Sequence, residues 1–427
     1  MGRYLLLIAA VRCPTFLIAR SWKQIDVIIA PGHDGEYVEP GSSSISPPRQ
    51  FPTSGFQILD TTQPIEEETY SWYNPKNYYP VRIGDVHHSY QVIGKLGYGG
   101  YSTTVMKVCT RTAPDVKREV EAYRRINAVS PLLQHGGRTC VRKMLEEFEL
   151  TDEYGKYQCI VHDPLFISLY KFRQECFLES RLTKDLTRAC ILVILYALDF
   201  LHNHAGLIHT DLQENNIILE LDDPAALSEF EEQELNDPSP RKIVGDRVIY
   251  TSRELQLAMM AYGQPVLCDF GQARFSEVQH SGQIQPYQYR APEVIFGMKW
   301  DEKADIWNLG VMIWDISMGR NMFKVRGGPD NEEADVYHLA HMVALLGPPP
   351  VDFFRRWTTD TPWEYFDEEG ECECIPGLLM VVLLITHDGS TMVPPTQYHP
   401  VATVEVGEPS EDKIHERHCA CKVHAPT

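Results

Sequence analysis

The chain has 427 residues, 43% of them hydrophobic, with 39 basic and 59 acidic side chains for a formal charge of −20. Its length accommodates two or three domain-sized units, and its charge speaks against direct nucleic-acid binding and for basic partners. The cysteines number eleven, an odd count scattered from Cys13 to Cys421, which suggests a reduced protein and not a disulfide framework.

Residues 1–31 place Arg3, Arg12, Arg20 and Lys23 ahead of the first acid, Asp26, with apolar runs at Tyr4–Val11 and Phe16–Ala19. A mitochondrial transit peptide fits that composition, and so does a disordered leader, because the arginines do not share one helical face. The longer run has eight residues, well short of the roughly 20 needed to cross a bilayer, so no membrane span is expected. The Gly, Ser and Pro content of 32–55 suggests a linker, making 1–55 a leader and flexible linker. In 56–89, Tyr70, Trp72, Tyr73, Tyr78 and Tyr79 make the segment too apolar to float free, and it is expected to pack against the strands C-terminal to it.

Tyr90–Leu96 alternates like a strand and runs into Gly97-Tyr98-Gly99-Gly100-Tyr101-Ser102, where glycines let backbone amides approach phosphate oxygens. A strand signal around Lys107 comes after it, then Glu119 in a helical stretch, then a buried-strand run Tyr157–Val161. Leu186, Cys190, Val193, Ile194, Ala197 and Leu201 recur at three- and four-residue steps, which predicts a core helix. Next comes Leu207–Leu219, an apolar signal with His209, Asp211 and Asn216 as its polar core. A carboxylate five residues before a carboxamide lets Asp211 accept a proton from an attacking hydroxyl while Asn216 holds a metal ion. Cys268-Asp269-Phe270-Gly271 and Ala291-Pro292-Glu293 stand downstream, in the order and rough spacing of the protein-kinase signature set.

On these motifs the chain resembles the eukaryotic protein kinases, and specifically the fungal relatives of the SR-protein kinases, which phosphorylate serines in Arg-Ser repeats. Thr210, where most kinases carry arginine, points to that branch, as do Tyr78–Gly84, Tyr289–Val294 and the stretch from His338 to Pro350. The resemblance implies an α+β, two-lobed fold, with a small β-rich lobe over 90–165 and a larger, mainly helical lobe over 166–370. It implies ATP and Mg²⁺ as cofactors. Asp211 would be the catalytic base, with Lys107 and Glu119 as its catalytic partners. Leu96, Gly97, Gly99 and Lys107 would bind nucleotide, Asp163 and Leu165 would form the hinge, and Asn216 and Asp269 would hold the metal. Gln213 replaces a lysine that many members place near the transferred phosphate. A basic, Arg/Ser-rich protein substrate, a monomeric state and a cytoplasmic or nuclear location are implied by the same likeness.

The chain departs from that pattern in two places. Ser102 and Lys107 are five residues apart where the family folds a whole second strand and its hairpin, so about a dozen residues are missing and the small lobe is incomplete. A catalytically impaired pseudokinase that binds basic peptides is therefore the alternative to an active enzyme. Beyond Gly370 the likeness ends in an atypical tail, 371–427, with an apolar run at Leu378–Ile385. The cluster His415, His418, Cys419, Cys421 and His424 lacks zinc-site spacing.

Fifty-two residues separate Asn216 from Asp269, which marks an insert over about 220–262. Its acidic first part, Glu220–Asp237, suggests a solvated surface loop more than a docking element. Asp301–Ser317 is expected to be a second core helix with Ile306, Gly310, Ile313, Trp314 and Ser317 inward, and Asp305 matches a buried aspartate that braces the catalytic loop. Thr210 cannot pair with a phosphorylated residue of the activation segment, so activity is expected not to need that modification.

Overall fold

The small lobe is an antiparallel sheet whose middle strand comes from the start of the chain. The computed structural model describes residues 24–31, 48–97, 106–221, 225–255, 262–323, 332–350 and 353, all within one compact unit, residues 1–382; a second unit, 383–427, lies outside them. Strands β1 (Gln24–Pro31), β2 (Val86–His87), β3 (Tyr90–Gly97) and β4 (Met106–Cys109) are followed by helix α1 (Val116–Ala128) and by β5 (Glu146–Asp152) and β6 (Gly155–Val161). They join in the order β2-β3-β1-β4-β6-β5. β1 pairs antiparallel with β3 on one side and with β4 on the other.

At Gln24–Pro31 this corrects the reading of 1–55 as leader and flexible linker; 1–23 and 32–47 lie outside the described residues. Without β1, the five residues from Ser102 to Lys107 would leave β3 and β4 as two facing edges of unpaired N–H and C=O groups. Ile25, Val27, Ile28 and Ile29 carry strong strand propensity, and β1 closes that gap. The missing second strand is thus supplied from elsewhere in the sequence.

One face of the sheet is covered by the extension that precedes it. Tyr78 and Val81 bury themselves with Val92, Met106, Val108, Phe148 and Tyr157, and Tyr73 and Tyr79 pack at the margin. Trp72 stays 39% exposed, stacked on Tyr70 at 4.7 Å.

The larger lobe begins with β7 (Leu165–Ser168) and α2 (Leu169–Cys176), then α3 (Lys184–Phe200), β8 (Leu207–Ile208) and β9 (Ile217–Leu221). The Thr183 hydroxyl caps α3 by accepting the Leu186 N–H at 3.4 Å. Cys190, Ile194, Ala197 and Leu201 are buried, as the periodicity predicts.

The insert folds as α4 (Ala225–Asn236) and a hairpin of β10 (Arg241–Val244) with β11 (Arg247–Tyr250), and the chain returns through β12 (Tyr262–Leu267) and β13 (Arg274–Phe275). It is not a solvated loop. Lys242 pairs with Glu68 at 2.8 Å, Ser252 donates both its N–H and its hydroxyl to Glu66, and Arg253 donates its N–H to the Lys95 carbonyl. Among its acidic side chains Glu234 is bonded internally, accepting the Ser239 hydroxyl at 2.6 Å and the Arg253 guanidinium at 3.2 Å, while Glu229, Glu232 and Asp237 are exposed.

Helices α5 (Pro292–Ile295), α6 (Lys303–Met318) and α7 (Glu332–Leu346) complete the described chain. The inward face of α6 differs from the expected one. Asp305, Asn308, Leu309, Met312 and Ile316 are buried, whereas Ile306, Gly310 and Ser317 are exposed and Ile313 and Trp314 only partly covered. Apolar periodicity alone sets this face one residue late, because a polar aspartate and asparagine occupy core positions. Gly319 ends the helix at φ +68°, where a Cβ would lie 2.3 Å from the Glu179 carbonyl oxygen. Leu378–Ile385, the His and Cys cluster and the rest of the tail lie outside the described residues.

Candidate active site

The loop between β8 and β9 is held in shape by one buried carboxylate. Asp305 is fully buried, and its Oδ2 accepts the His209 N–H and a His202 ring nitrogen, both at 2.8 Å, while Oδ1 accepts the Thr210 N–H at 2.8 Å. Thr210 sits at φ +64°, an uncommon conformation for a β-branched residue, and its hydroxyl donates to the Gln272 carbonyl at 2.6 Å. His209 Nδ1 accepts the Asp211 N–H at 3.2 Å and its Nε2 donates to the Cys268 carbonyl at 3.1 Å. That tautomer requires a neutral ring, and burial pushes the His209 pKa down.

Asp211 projects from this loop, only partly buried. Its Oδ1 accepts from the Gln213 carboxamide at 3.1 Å, and its Oδ2 from the Asn216 Nδ2 at 3.2 Å. The same Nδ2 donates to the Asp211 carbonyl at 2.8 Å, which fixes the amide's orientation. The Asn216 Oδ1 is left buried with no hydrogen-bond partner. An unpaired buried acceptor costs free energy unless a donor or a cation meets it.

Asp269 arrives beside that acceptor through the sheet. β12 pairs with β9 so that Leu267 faces Ile217, and the Cys268 N–H donates to the Asn216 carbonyl at 2.8 Å. Asp269, at φ +63°, accepts the Gly271 N–H through Oδ1 at 3.1 Å, leaving Oδ2 available. A carboxamide oxygen and a carboxylate oxygen are donors suited to a hard divalent cation such as Mg²⁺.

Above them, the Lys107 ammonium lies 2.7 Å from both oxygens of Glu119 on α1. Burial works against the charge on Lys107, but Glu119 and Asp269 more than offset it, and the pKa is raised. α1 is locked to the loop after Asp269 by Arg118, which donates to the Gly271 carbonyl at 2.9 Å. Tyr123, one turn beyond Glu119, meets the fully buried Phe270 edge to face at 5.2 Å, and Phe270 meets His209 at 5.4 Å. These rings join α1 to the Asp211 loop. Tyr123 belongs to no sequence motif, although its position four residues after Glu119 puts it on the same helical face.

Leu96 and Gly97 end β3 in the roof, and Leu165 starts β7, buried with Ile218 and Val266. The Asp163 carbonyl accepts from Arg142 at 3.3 Å. Gly99 falls outside the described residues. The structure therefore brings together Asp211, Asn216 and Asp269 below and Lys107 with Glu119 above.

A protein kinase domain model matches residues 167–369. A serine/threonine protein kinase of Aspergillus fumigatus is 39% identical over 349 residues, covering 77% of this chain and 84% of its own length. The serine/threonine-protein kinase SRPK of Physarum polycephalum is 27% identical, covering 73% and 79% respectively. The human dual specificity protein kinase CLK4 is 28% identical over 64% of this chain and 52% of its own. A crystallised kinase domain superposes with a TM-score of 0.47 at 23% identity, over 67% of this chain and 74% of that one.

Proposed function

We propose, from the premise that this chain belongs to the protein kinase family and is a serine/threonine protein kinase of the two-lobed α+β fold, that it transfers the γ-phosphoryl group of ATP to serines in basic, Arg/Ser-rich proteins. The observation that carries the reading is the unpartnered Asn216 Oδ1, set between the Asp211 side chain and the strand end that delivers Asp269.

In this reading Asp211, with Gln213 and Asn216 fixing its oxygens, orients the substrate hydroxyl and accepts its proton. Asn216 and Asp269 hold Mg²⁺, which when bound neutralises charge on the phosphates. Lys107, kept charged by Glu119, binds the α- and β-phosphates, and Leu96, Gly97, Gly99, Asp163 and Leu165 surround the nucleotide. Gln213 supplies a hydrogen-bond donor but no positive charge where many kinases have lysine, so transfer is slower than with a cation there. A net charge of −20 supports a basic substrate, as does the likeness of the Thr210 motif to the SR-protein kinases. Cytoplasm or nucleus suits such substrates. Among the described residues no helix is long and apolar enough to cross a membrane.

The test is incorporation of labelled phosphate from Mg-ATP into an Arg-Ser repeat peptide by the full chain, with Asp211→Asn as the control. Incorporation abolished by that substitution is the expected result. The shortened stretch between Ser102 and Lys107 favours a second reading, a pseudokinase that binds basic peptides. Peptide binding without incorporation, and no thermal shift at millimolar Mg-ATP, would establish that reading in place of the first.

A further inference from the structure

The stretch that carries Asp211 and Asn216 is held at more than one point. Asp305 takes the peptide groups ahead of Asp211, and the Asn308 carboxamide donates to the Leu212 carbonyl at 2.7 Å. A further hold comes from Arg173 of α2, whose guanidinium meets Glu214 in a fork: Nε donates to one carboxylate oxygen at 2.6 Å and Nη2 to the other at 2.8 Å. The remaining nitrogen, Nη1, donates to the Ser180 carbonyl. Arg173 is 5% exposed and Glu214 3%, so water does not compete for these bonds.

Glu214 opens the turn that delivers the Asn216 amide. Glu214–Asn216 is a single 3-10 turn, in which the Asn216 N–H donates to the Gln213 carbonyl at 2.9 Å and the Ile217 N–H to the Glu214 carbonyl. So short a turn has few bonds of its own, and its orientation depends on what its side chains grip. Asn216 grips Asp211 on one side, and Glu214 grips Arg173 on the other. Arg173 stands on a fixed support. β7 pairs with β9 through Ser168 and Ile218, the Ser168 hydroxyl caps α2 by accepting the Lys171 N–H at 3.2 Å, and Leu169 and Phe172 are buried in the core.

Fold stability does not require this pair to be charged. Replacing a buried ion pair by apolar side chains of similar volume is often neutral or stabilising, because desolvation of two charges offsets their attraction. A forked arginine–carboxylate contact supplies what apolar packing does not, a fixed angle as well as a fixed distance. We propose that Arg173 is a positioning residue for the metal site: through Glu214 it sets the Asn216 turn, and with it the place where Asn216 Oδ1 meets a divalent cation. The proposal rests on the reading of Asn216 and Asp269 as metal ligands.

Binding of Mn²⁺ to the full chain in the presence of AMP-PNP, followed by loss of the free ion's paramagnetic resonance signal and corrected for nucleotide alone, tests this beside thermal melting without metal. Arg173→Lys keeps the charge but not the fork, and should raise the Mn²⁺ Kd about tenfold, the lower end for a group that orients a metal ligand. Arg173→Met combined with Glu214→Met removes both charges; it should melt within a few degrees of the unmodified chain yet bind Mn²⁺ at least as weakly as Arg173→Lys. Glu175→Gln, exposed on the same helix, should change neither quantity. Wild-type Mn²⁺ affinity in the double variant, or in Arg173→Lys if the double variant does not fold, would overturn the positioning role and leave the pair to packing alone. An unmodified chain that takes up no Mn²⁺ beyond nucleotide alone, or takes up as much after Asp269→Ala, would overturn the metal reading itself and this role with it.

Discussion

Asp305 and Thr210 are joined by a 2.8 Å hydrogen bond from the Thr210 backbone N–H, and the other oxygen of the same carboxylate takes the His209 N–H. Two consecutive peptide groups are thereby held in one orientation while Thr210 keeps a backbone conformation that costs of order 1–3 kcal/mol. Asp305→Asn replaces one acceptor with a donor facing a donor. It should lower stability by about 2–3 kcal/mol in denaturant unfolding and reduce phosphotransfer at least about a hundredfold, because Asp211 comes directly after this loop's braced peptides. Activity retained in a folded Asp305→Asn protein would contradict the bracing role.

Lys107 and Glu119 form a buried pair in which either partner alone leaves a charge without its counterpart. Lys107→Met should cost about 3–5 kcal/mol, and Lys107→Met with Glu119→Leu should recover part of that loss. A double-mutant cycle on melting temperature measures the coupling, and strict additivity would show that the pair is not energetically linked.

The Asp315 carboxyl, buried between Tyr289 and the Met322 N–H, is pushed up from 3.8 to about 7 by burial. The folded state therefore holds this proton more tightly than the unfolded chain does. The resulting stabilisation is complete below about pH 4 and is lost as pH rises towards 7. Asp315→Asn should flatten that part of the stability profile and melt higher than wild type at pH 8, by the equivalent of about 2–4 kcal/mol. Parallel wild-type and mutant profiles between pH 4 and 8 would rule the effect out.

β1 is paired on both sides at Asp26 and Val27, and Ile28 beside them stands opposite Gly94 of β3, so a proline at Ile28 disrupts the β1–β3 ladder. Ile28→Pro should destabilise the protein by about 3 kcal/mol or more, with faster amide exchange at β3 and β4. Unchanged protection of Val92–Lys95 and Met106–Val108 would mean that the strand is dispensable.

Thr210 gives its hydroxyl to the Gln272 carbonyl, so the start of the activation segment is tied by a neutral contact. Phosphatase treatment should leave phosphotransfer within about twofold of the untreated value, since no arginine stands here to recruit a phosphate. Loss of all activity after treatment would refute this.

Much of the lower half of the site is legible in the sequence. Asp211, Asn216 and Asp269 lie in contiguous motifs, and short-range spacing is enough to place them on a loop and a strand end. Lys107 with Glu119 is legible as well, as a strand lysine ahead of a helical acid. The rest depends on contacts between distant segments. No local pattern in Gln24–Pro31 says which strands it will join, because pairing is decided by the edges left open elsewhere. Phe230 of α4, buried with Ile93 and Leu96 of β3, is hidden by the acidic residues around it, which the composition assigns to solvent although Glu234 is bonded inside the insert. The inward face of α6 is misplaced by periodicity because Asp305 and Asn308, polar by type, are buried by their bonds to the Asp211 loop, Asn308 through the Leu212 carbonyl.

A sheet completed by β1 also constrains how this polypeptide comes off the ribosome. β1 can pair with β3 once Gly97 has been synthesised, but its other edge stays open until Cys109 follows. Chains trimmed as far as Pro31 to remove an apparently dispensable start would expose two hydrogen-bonding edges throughout their lifetime, and should accumulate as insoluble aggregates where the untrimmed chain stays in solution.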